Sequence, residues 1–174
     1  MVDIKTYAKD MTPIKLLQMA INTFADAEMT HDVISRKVHM MGFQGAKRYN
    51  RYRSLEDRKL RVKLQHYVID IFGMDLEADW RGKDISFNDY KGYLEYYLDT
   101  EVEAYTMLNK IHNELVLNGY NAEACIIKDY LPSVVKEIEK VRRWTLDAEN
   151  SDWDYTLIKI FDDKLHDKMK DVEE

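Results

Sequence analysis

Residues 12–45 read TPIKLLQMAINTFADAEMTHDVISRKVHMMGFQG, and this stretch decides the fold. From Ile14 to Phe24 the apolar residues recur every three or four positions, which is the spacing of one face of an α-helix. Thr12 suits a helix cap and Pro13 suits the first helical position, whereas the glycines near the end of the stretch suit a turn. The stretch therefore predicts one long helix that ends in a tight turn.

Four further segments show the same helical spacing. The second begins near Ala46 and ends at Gly73, a residue that suits a left-handed helix cap. Residues 86–89 and 151–154 both have the form Ser-x-x-acid, which predicts a capping box at the start of the third and fifth helices. Since no alternating run is long enough to be a convincing strand, the sequence predicts an all-α fold.

The lengths of the connections predict how these helices are arranged. A short turn joins the first two helices as an antiparallel hairpin, and a second short turn joins the third and fourth. Between the hairpins, residues 73–85 form a connection long enough to run the length of a bundle. The prediction is a four-helix bundle with one long crossover, within a single domain spanning residues 1–174. The bundle covers about residues 13–149 and the short fifth helix about residues 151–170.

Composition indicates a globular protein. The chain has 174 residues, of which 45% are hydrophobic and only 6 are Gly and 2 Pro, so it can form a core and is neither disordered nor collagen-like. It has no apolar run of about 18 residues, and residues 1–10 lack an apolar signal region, which argues against a membrane partner. A single cysteine, Cys125, agrees with a reducing compartment, so we expect a cytoplasmic protein.

The charge of the chain argues against nucleic acid as the main partner. There are 26 Lys and Arg residues against 32 Asp and Glu residues, which gives a net charge of −6. Residues 47–53 are locally basic with interleaved tyrosines, a pattern found in some nucleic-acid interfaces. In a helix, however, such a run is usually a solvated face.

Three stretches carry a resemblance to a known family. Residues 42–49 (GFQGAKRY) look like a turn between the first and second helices of non-haem ferritins, and residues 130–141 (YLPSVVKEIEKV) are similar to their fourth helix. Residues 157–165 (LIKIFDDKL) look like the start of their short fifth helix. The resemblance implies a ferritin-like bundle that assembles as a homo-oligomer.

The resemblance also implies iron chemistry, because the family's activity depends on a dinuclear iron site inside the bundle. The reaction implied is oxidation of Fe(II) by dioxygen or peroxide, followed by storage. When the two patterns are matched at the turn, the family's ligand positions fall on Phe24, Asp57, Leu60, Glu101 and a residue near Ser133. Of these, only Asp57 and Glu101 are plausible iron ligands.

Polar residues that interrupt the apolar faces add two candidates. Glu28 and His31 form a Glu-x-x-His pair on one face of the first helix, a spacing that suits a shared metal. One interpretation is ordinary: Glu28 pairs with Arg53 across the hairpin, and His31 is a hydrogen-bonded core histidine. The other is functional: Glu28, His31, Asp57 and Glu101 together hold a metal ion, which relieves the repulsion between their carboxylates.

Two functions therefore remain open at this point. In the first, the chain is a divergent ferritin-like protein with iron as its cofactor, bound and oxidised in a ferroxidase-type reaction at an atypical or weakened carboxylate site. In the second, it is a metal-free helical bundle that serves as a structural or protein-interaction subunit. No other catalytic motif is present, since there is neither a phosphate loop nor a nucleophile elbow.

Overall fold

The computed structural model describes residues 11–80 and 84–170, which form five helices without a strand. This confirms the all-α prediction, whereas the expectation for residues 1–10 lies outside the described part. Within the described residues, no helix combines the length and the apolarity that a membrane span needs. The helices are α1 (Met11–Met40), α2 (Gln44–Phe72), α3 (Tyr90–Leu117), α4 (Asn121–Asn150) and α5 (Tyr155–Lys170).

Most helix ends lie close to the predicted positions. The expected cap of α1, Thr12, lies within the helix, which is described from Met11 onward. Helix α2 ends as predicted at Gly73, which has φ 65° and donates its backbone N–H to the oxygen of Ile69 at 2.9 Å. The absence of a Cβ makes this left-handed conformation accessible to glycine at little cost.

The two predicted capping boxes are wrong in register. Helix α3 is capped by Asp89, whose side chain accepts a hydrogen bond from the backbone nitrogen of Gly92 at 2.7 Å. At α5, the side chain of Asp154 accepts from the backbone nitrogen of Leu157 at 2.9 Å. In both motifs the aspartate at the fourth position caps the helix, and the serine at the first position does not. Aspartate and serine are about equally favourable caps, so the motif is compatible with either start.

The crossover between α2 and α3 runs alongside α1. Near the start of α1, the Gln18 amide donates to the backbone oxygen of Glu77 at 2.8 Å. Near the end of α1, the Lys37 ammonium donates to the backbone oxygen of Ile85. The described parts of the connection therefore contact α1 near both of its ends, and α3 begins beside the α1–α2 turn, where the ring of Tyr90 packs against Phe43, as the long connection predicted.

Helix α5, whose position the sequence left open, packs against the start of α2. The N-cap residue of α2, Phe43, provides no side-chain hydrogen bond. Instead, the buried carboxylate of Asp162 in α5 accepts from the backbone nitrogens of Gly45 at 3.1 Å and of Ala46 at 2.7 Å. Asp162 thus caps α2 across the fold and anchors α5 to the bundle.

Two apolar clusters fill the interior of the bundle. One lies near the α1–α2 turn and includes Val38 and Tyr93, and the other lies toward the opposite end and includes Leu17 and Leu115. Polar side chains occupy the middle of the helices, between the two clusters. Those that are buried there are Thr30, His31, Arg53, Asp57, Thr100, Glu101 and Glu137.

Candidate functional site

Three of the four predicted site residues meet in the middle of the bundle. His31 of α1 is fully buried, and its Nδ1 lies 2.7 Å from Oδ2 of Asp57 in α2. On the other side of the ring, Nε2 lies 3.4 Å from Oε1 of Glu101 in α3. The imidazole therefore bridges two carboxylates that come from different helices.

The fourth residue, Glu28, lies outside this group. Its Oε2 accepts a hydrogen bond from Nε of Arg61 at 2.9 Å, at the edge of the bundle. The expected pairing of Glu28 with Arg53 is therefore wrong by two helical turns. Because side chains lean toward the N-terminus of their own helix, the partner across an antiparallel hairpin lies further from the turn than the backbone alone suggests.

Arg53 occupies the centre of the polar group instead. Its Nη2 lies 3.4 Å from Oδ1 of Asp57 and 3.2 Å from Oε1 of Glu101, and its Nε lies 3.8 Å from Oε2 of Glu137. Burial lowers the pKa of Arg53, but Asp57 and Glu101 outweigh it and hold the pKa well above its ordinary value. One buried guanidinium is thus shared by three carboxylates.

Glu137 of α4 belongs to the site, although the sequence analysis did not select it. The hydroxyl groups of Tyr49 and Tyr97 both donate to its Oε2, the latter at 3.4 Å, and Nζ of Lys140 donates to its Oε1 at 2.6 Å. Burial raises the pKa of Glu137, but Arg53 and the hydrogen bonds from Lys140 and Tyr49 lower it below the ordinary value. Glu137 is therefore held as a carboxylate by its surroundings.

Glu101 has the opposite electrostatic balance. Burial raises its pKa, and the opposing effects of Arg53 and His31 do not cancel this increase. The site holds three carboxylates but only two fixed cations, Arg53 and Lys140. One proton on Glu101 makes the site neutral, in agreement with the raised pKa of this carboxyl group.

We expect Glu101 and Glu137 to affect stability with opposite pH dependence. The folded-state pKa of Glu101 is raised above the unfolded value of about 4.3, so ionising it disfavours the folded state. Wild type should therefore lose stability relative to Glu101→Gln as pH rises through that folded-state pKa. The folded-state pKa of Glu137 is lowered, so its contribution is present above about pH 4.3 and is lost as pH falls through its folded-state pKa.

Urea unfolding of wild type, Glu101→Gln and Glu137→Gln across the acidic to neutral range measures these differences. The quantity compared is the free energy of unfolding of wild type minus that of the variant. With rising pH it should decrease for Glu101→Gln and increase for Glu137→Gln. Slopes of the same sign for both residues would contradict the electrostatic balance inferred for the site.

The other family-derived positions are part of the apolar core or make local contacts. Phe24 packs edge-on against the ring of Tyr130, with centroids 5.3 Å apart, and Leu60 packs against the same cluster. The Ser133 hydroxyl donates to the backbone oxygen of Tyr130 at 2.7 Å. Across residues 11–80 and 84–170, no three or more His, Cys, Asp or Glu side chains are grouped so as to hold a metal ion.

Comparison with known proteins identifies the fold. No protein-family model matches the chain, and no curated protein matches it. Among solved structures, it is similar to an open pore ferritin from the hyperthermophilic archaeon Archaeoglobus fulgidus, with a TM-score of 0.84. The match covers 91% of this chain and 97% of that chain at 12% sequence identity. The fold is therefore ferritin-like, as the sequence resemblance implied.

Proposed function

We propose that this chain is a ferritin-like bundle that acts as a structural or protein-interaction subunit, with Arg53 supplying the positive charge inside it. The observation that carries the proposal is the position of the Arg53 guanidinium, within ion-pair distance of Asp57, Glu101 and Glu137. Buried carboxylates require a counter-charge, and in this protein the side chain of Arg53 provides it.

The interior residues, as arranged, do not fit an iron centre. Iron bound between Asp57 and Glu101 would lie beside Nη2 of Arg53, which contacts one oxygen of each carboxylate. Since the guanidinium carries a positive charge, a metal ion beside it would also be strongly repelled at low dielectric. The carboxylates of Asp57 and Glu101, as arranged, therefore favour the Arg53 side chain over a metal ion as their counter-charge.

Iron binding remains the second candidate, favoured by one specific observation. Nε2 of His31 is buried without a hydrogen-bond partner and lies 3.4 Å from Glu101, while Asp57 contacts the other ring nitrogen. An imidazole and two carboxylates are ligands that suit Fe(II). For iron to bind there, the Arg53 side chain would have to move aside. Glu28 lies outside the group of His31, Asp57 and Glu101 and stays paired with Arg61.

We also propose that the subunit assembles with copies of itself. Large apolar side chains are exposed where α4 meets α5: Leu146 is 55% exposed, Leu157 51% and Ile160 47%. Exposed apolar surface of this kind commonly marks an interface between proteins. The similarity to a ferritin supports the same proposal.

Titration with Fe(II) in the absence of air, on protein without a metal-binding tag, tests the proposed function. We expect no stoichiometric uptake by wild type, because the Arg53 guanidinium lies against Asp57 and Glu101 and repels a metal ion there. On admission of oxygen, the ferric absorbance should develop no faster than in buffer alone. Glu101→Ala should give the same traces as wild type.

A matched control comes from the same helix. Glu95 is an exposed carboxylate of α3, so Glu95→Ala reports on iron that is held loosely at the surface. Uptake of one or more Fe(II) per chain that survives in Glu95→Ala but disappears in Glu101→Ala would overturn the proposal. That result would establish the iron site at His31, Asp57 and Glu101 instead.

A further inference from the structure

A cavity of about 510 Å³ lies at the end of the bundle where the α1–α2 turn, the start of α3 and the α4–α5 turn meet. Its wall is mainly aromatic and includes Phe43, Tyr90, Trp153 and Tyr155. Small-molecule sites in proteins have volumes of roughly 300–1,000 Å³ and walls of this kind. Since the polar residues of the interior site do not line this cavity, it is a separate feature, which we call the end cavity.

Tyr90 brings an unsatisfied polar group to the wall of the end cavity. This residue is 5% exposed, and within the described part of the chain its buried hydroxyl has no hydrogen-bond partner. Burial raises the pKa of Tyr90 well above its ordinary value, so the hydroxyl stays protonated and can donate. A buried hydroxyl without a partner is uncommon and costly. A polar group of a ligand in the end cavity would provide the missing partner.

The α4–α5 turn holds Trp153 in the wall with a strained backbone. Asp152 has φ 50° and Trp153 has φ 56°, both in the left-handed region that favours glycine. The backbone nitrogen of Trp153 donates to the backbone oxygen of Ala148 at 2.9 Å, which closes the turn. A bulky side chain is rare in this conformation, and strain of this kind is concentrated at ligand-binding sites. The strain indicates that this position requires the indole ring, because a glycine would close the same turn at less cost.

Ammonium groups on the aromatic wall determine which charge a ligand can carry. Nζ of Lys91 lies 5.7 Å from the ring centroid of Trp153. Nζ of Lys159 lies 5.0 Å from the ring centroid of Phe43. The protein itself thus places cations over these rings, so a cationic ligand would be repelled and an anionic one attracted. Lys91 lines the cavity, and its ion pair with Glu95 is weak, because the two atoms are 3.9 Å apart and both side chains are more than half exposed.

We propose that the end cavity binds a planar aromatic carboxylate that carries a hydroxyl group. The ring of the ligand would pack against Trp153 and Phe43. Its carboxylate would pair with Lys91, and its hydroxyl would accept a hydrogen bond from Tyr90. The acidic residue of the wall, Asp89, does not oppose this, because its Oδ1 is occupied by the backbone nitrogen of Gly92 at 2.7 Å. This binding activity goes beyond the proposed function and does not involve the interior carboxylates.

Isothermal titration calorimetry with 6-hydroxy-2-naphthoate as the probe tests the proposal. We expect wild type to bind one molecule per chain and Lys91→Met to bind it about tenfold more weakly, because a charge-assisted hydrogen bond is lost. The neutral probe 6-hydroxy-2-naphthamide should bind wild type and Lys91→Met equally. Lys110→Met is the matched control, since Lys110 is an exposed lysine further along α3, and it should change the affinity by less than about twofold.

A second pair of probes tests the hydroxyl of Tyr90. Tyr90→Phe removes only this group, so it should weaken the binding of 6-hydroxy-2-naphthoate by about fivefold and leave the binding of 2-naphthoate unchanged. Thermal unfolding without ligand should show the variant to be at least as stable as wild type, because its hydroxyl has no partner in the protein alone. A loss of affinity in this variant therefore reports on the ligand and not on the fold.

Four results would overturn the proposal. They are no binding of the carboxylate by wild type, equal losses for the carboxylate and the amide in Lys91→Met, equal losses in Lys91→Met and Lys110→Met, and equal effects of Tyr90→Phe on the two naphthoates. Tighter binding of a naphthalene that carries a trimethylammonium group would likewise contradict it and identify the cavity as a cation site. The iron titration does not depend on these residues, so the end cavity can fail while the proposed function still holds.

Discussion

Replacing Arg53 by Met is expected to lower the free energy of unfolding by about 3–5 kcal/mol, the cost of removing one partner from a buried ion pair. The variant keeps most of the side-chain volume but leaves Asp57 and Glu101 facing each other around His31. Glu137 keeps Lys140 and the tyrosine hydroxyls, so the loss falls mainly on the first two carboxylates. Urea unfolding near neutral pH measures the difference.

A neighbouring arginine provides the control for this prediction. Arg58 lies on the exposed face of the same helix, so Arg58→Met should change the free energy of unfolding by no more than about 0.5 kcal/mol. Arg53→Lys should fall between the two, because an ammonium keeps the charge but cannot span three carboxylates as a planar guanidinium does. If Arg53→Met and Arg58→Met were equally stable, Arg53 would not be the counter-charge of the interior.

The arrangement of the helices could be predicted from sequence because its signals are local. Helical spacing identified the elements, Gly73 marked the end of α2, and the lengths of the connections distinguished short turns from the long crossover. The position of α5 could not be obtained in this way. It depends on the contact of Asp162 with the start of α2, which joins residues more than a hundred positions apart.

The site was predicted where a polar residue interrupts an apolar face, as at His31 and Glu101. Glu137 carries the same signal, because it lies between Val134 and Val141 on the inner face of α4. The family pattern drew attention one turn earlier, to Ser133, and Glu137 was missed. Spacing identified His31 and Glu101, but it could not show that the Arg53 side chain lies among Asp57, Glu101 and Glu137.

Gly45→Ala is expected to destabilise the protein by about 1–3 kcal/mol or more, as overpacking does in a close-packed interior. A Cβ at this position would collide with the backbone oxygen of Asp162 and lie 2.8 Å from the backbone nitrogen of His166. Both obstacles are backbone atoms of α5, so relief requires moving the whole helix. At an ordinary helical position, replacing Gly by Ala stabilises the protein by roughly 0.5–1 kcal/mol. The change expected at Gly45 in the free energy of unfolding therefore has the opposite sign.

Gly92→Ala is the matched control, since Gly92 also lies in the first turn of a helix. Its nearest neighbours would be Cβ of Phe87 at 3.1 Å and Oδ1 of Asp89 at 3.2 Å, and a displacement of a few tenths of an ångström relieves both contacts. Thermal unfolding should therefore show a much smaller loss for Gly92→Ala than for Gly45→Ala. Amide hydrogen exchange should accelerate in α5 for Gly45→Ala only, because the collision displaces Asp162 from the backbone nitrogens it caps. Unchanged exchange in α5 would mean that the helix is held by its apolar contacts alone and that the carboxylate cap is dispensable.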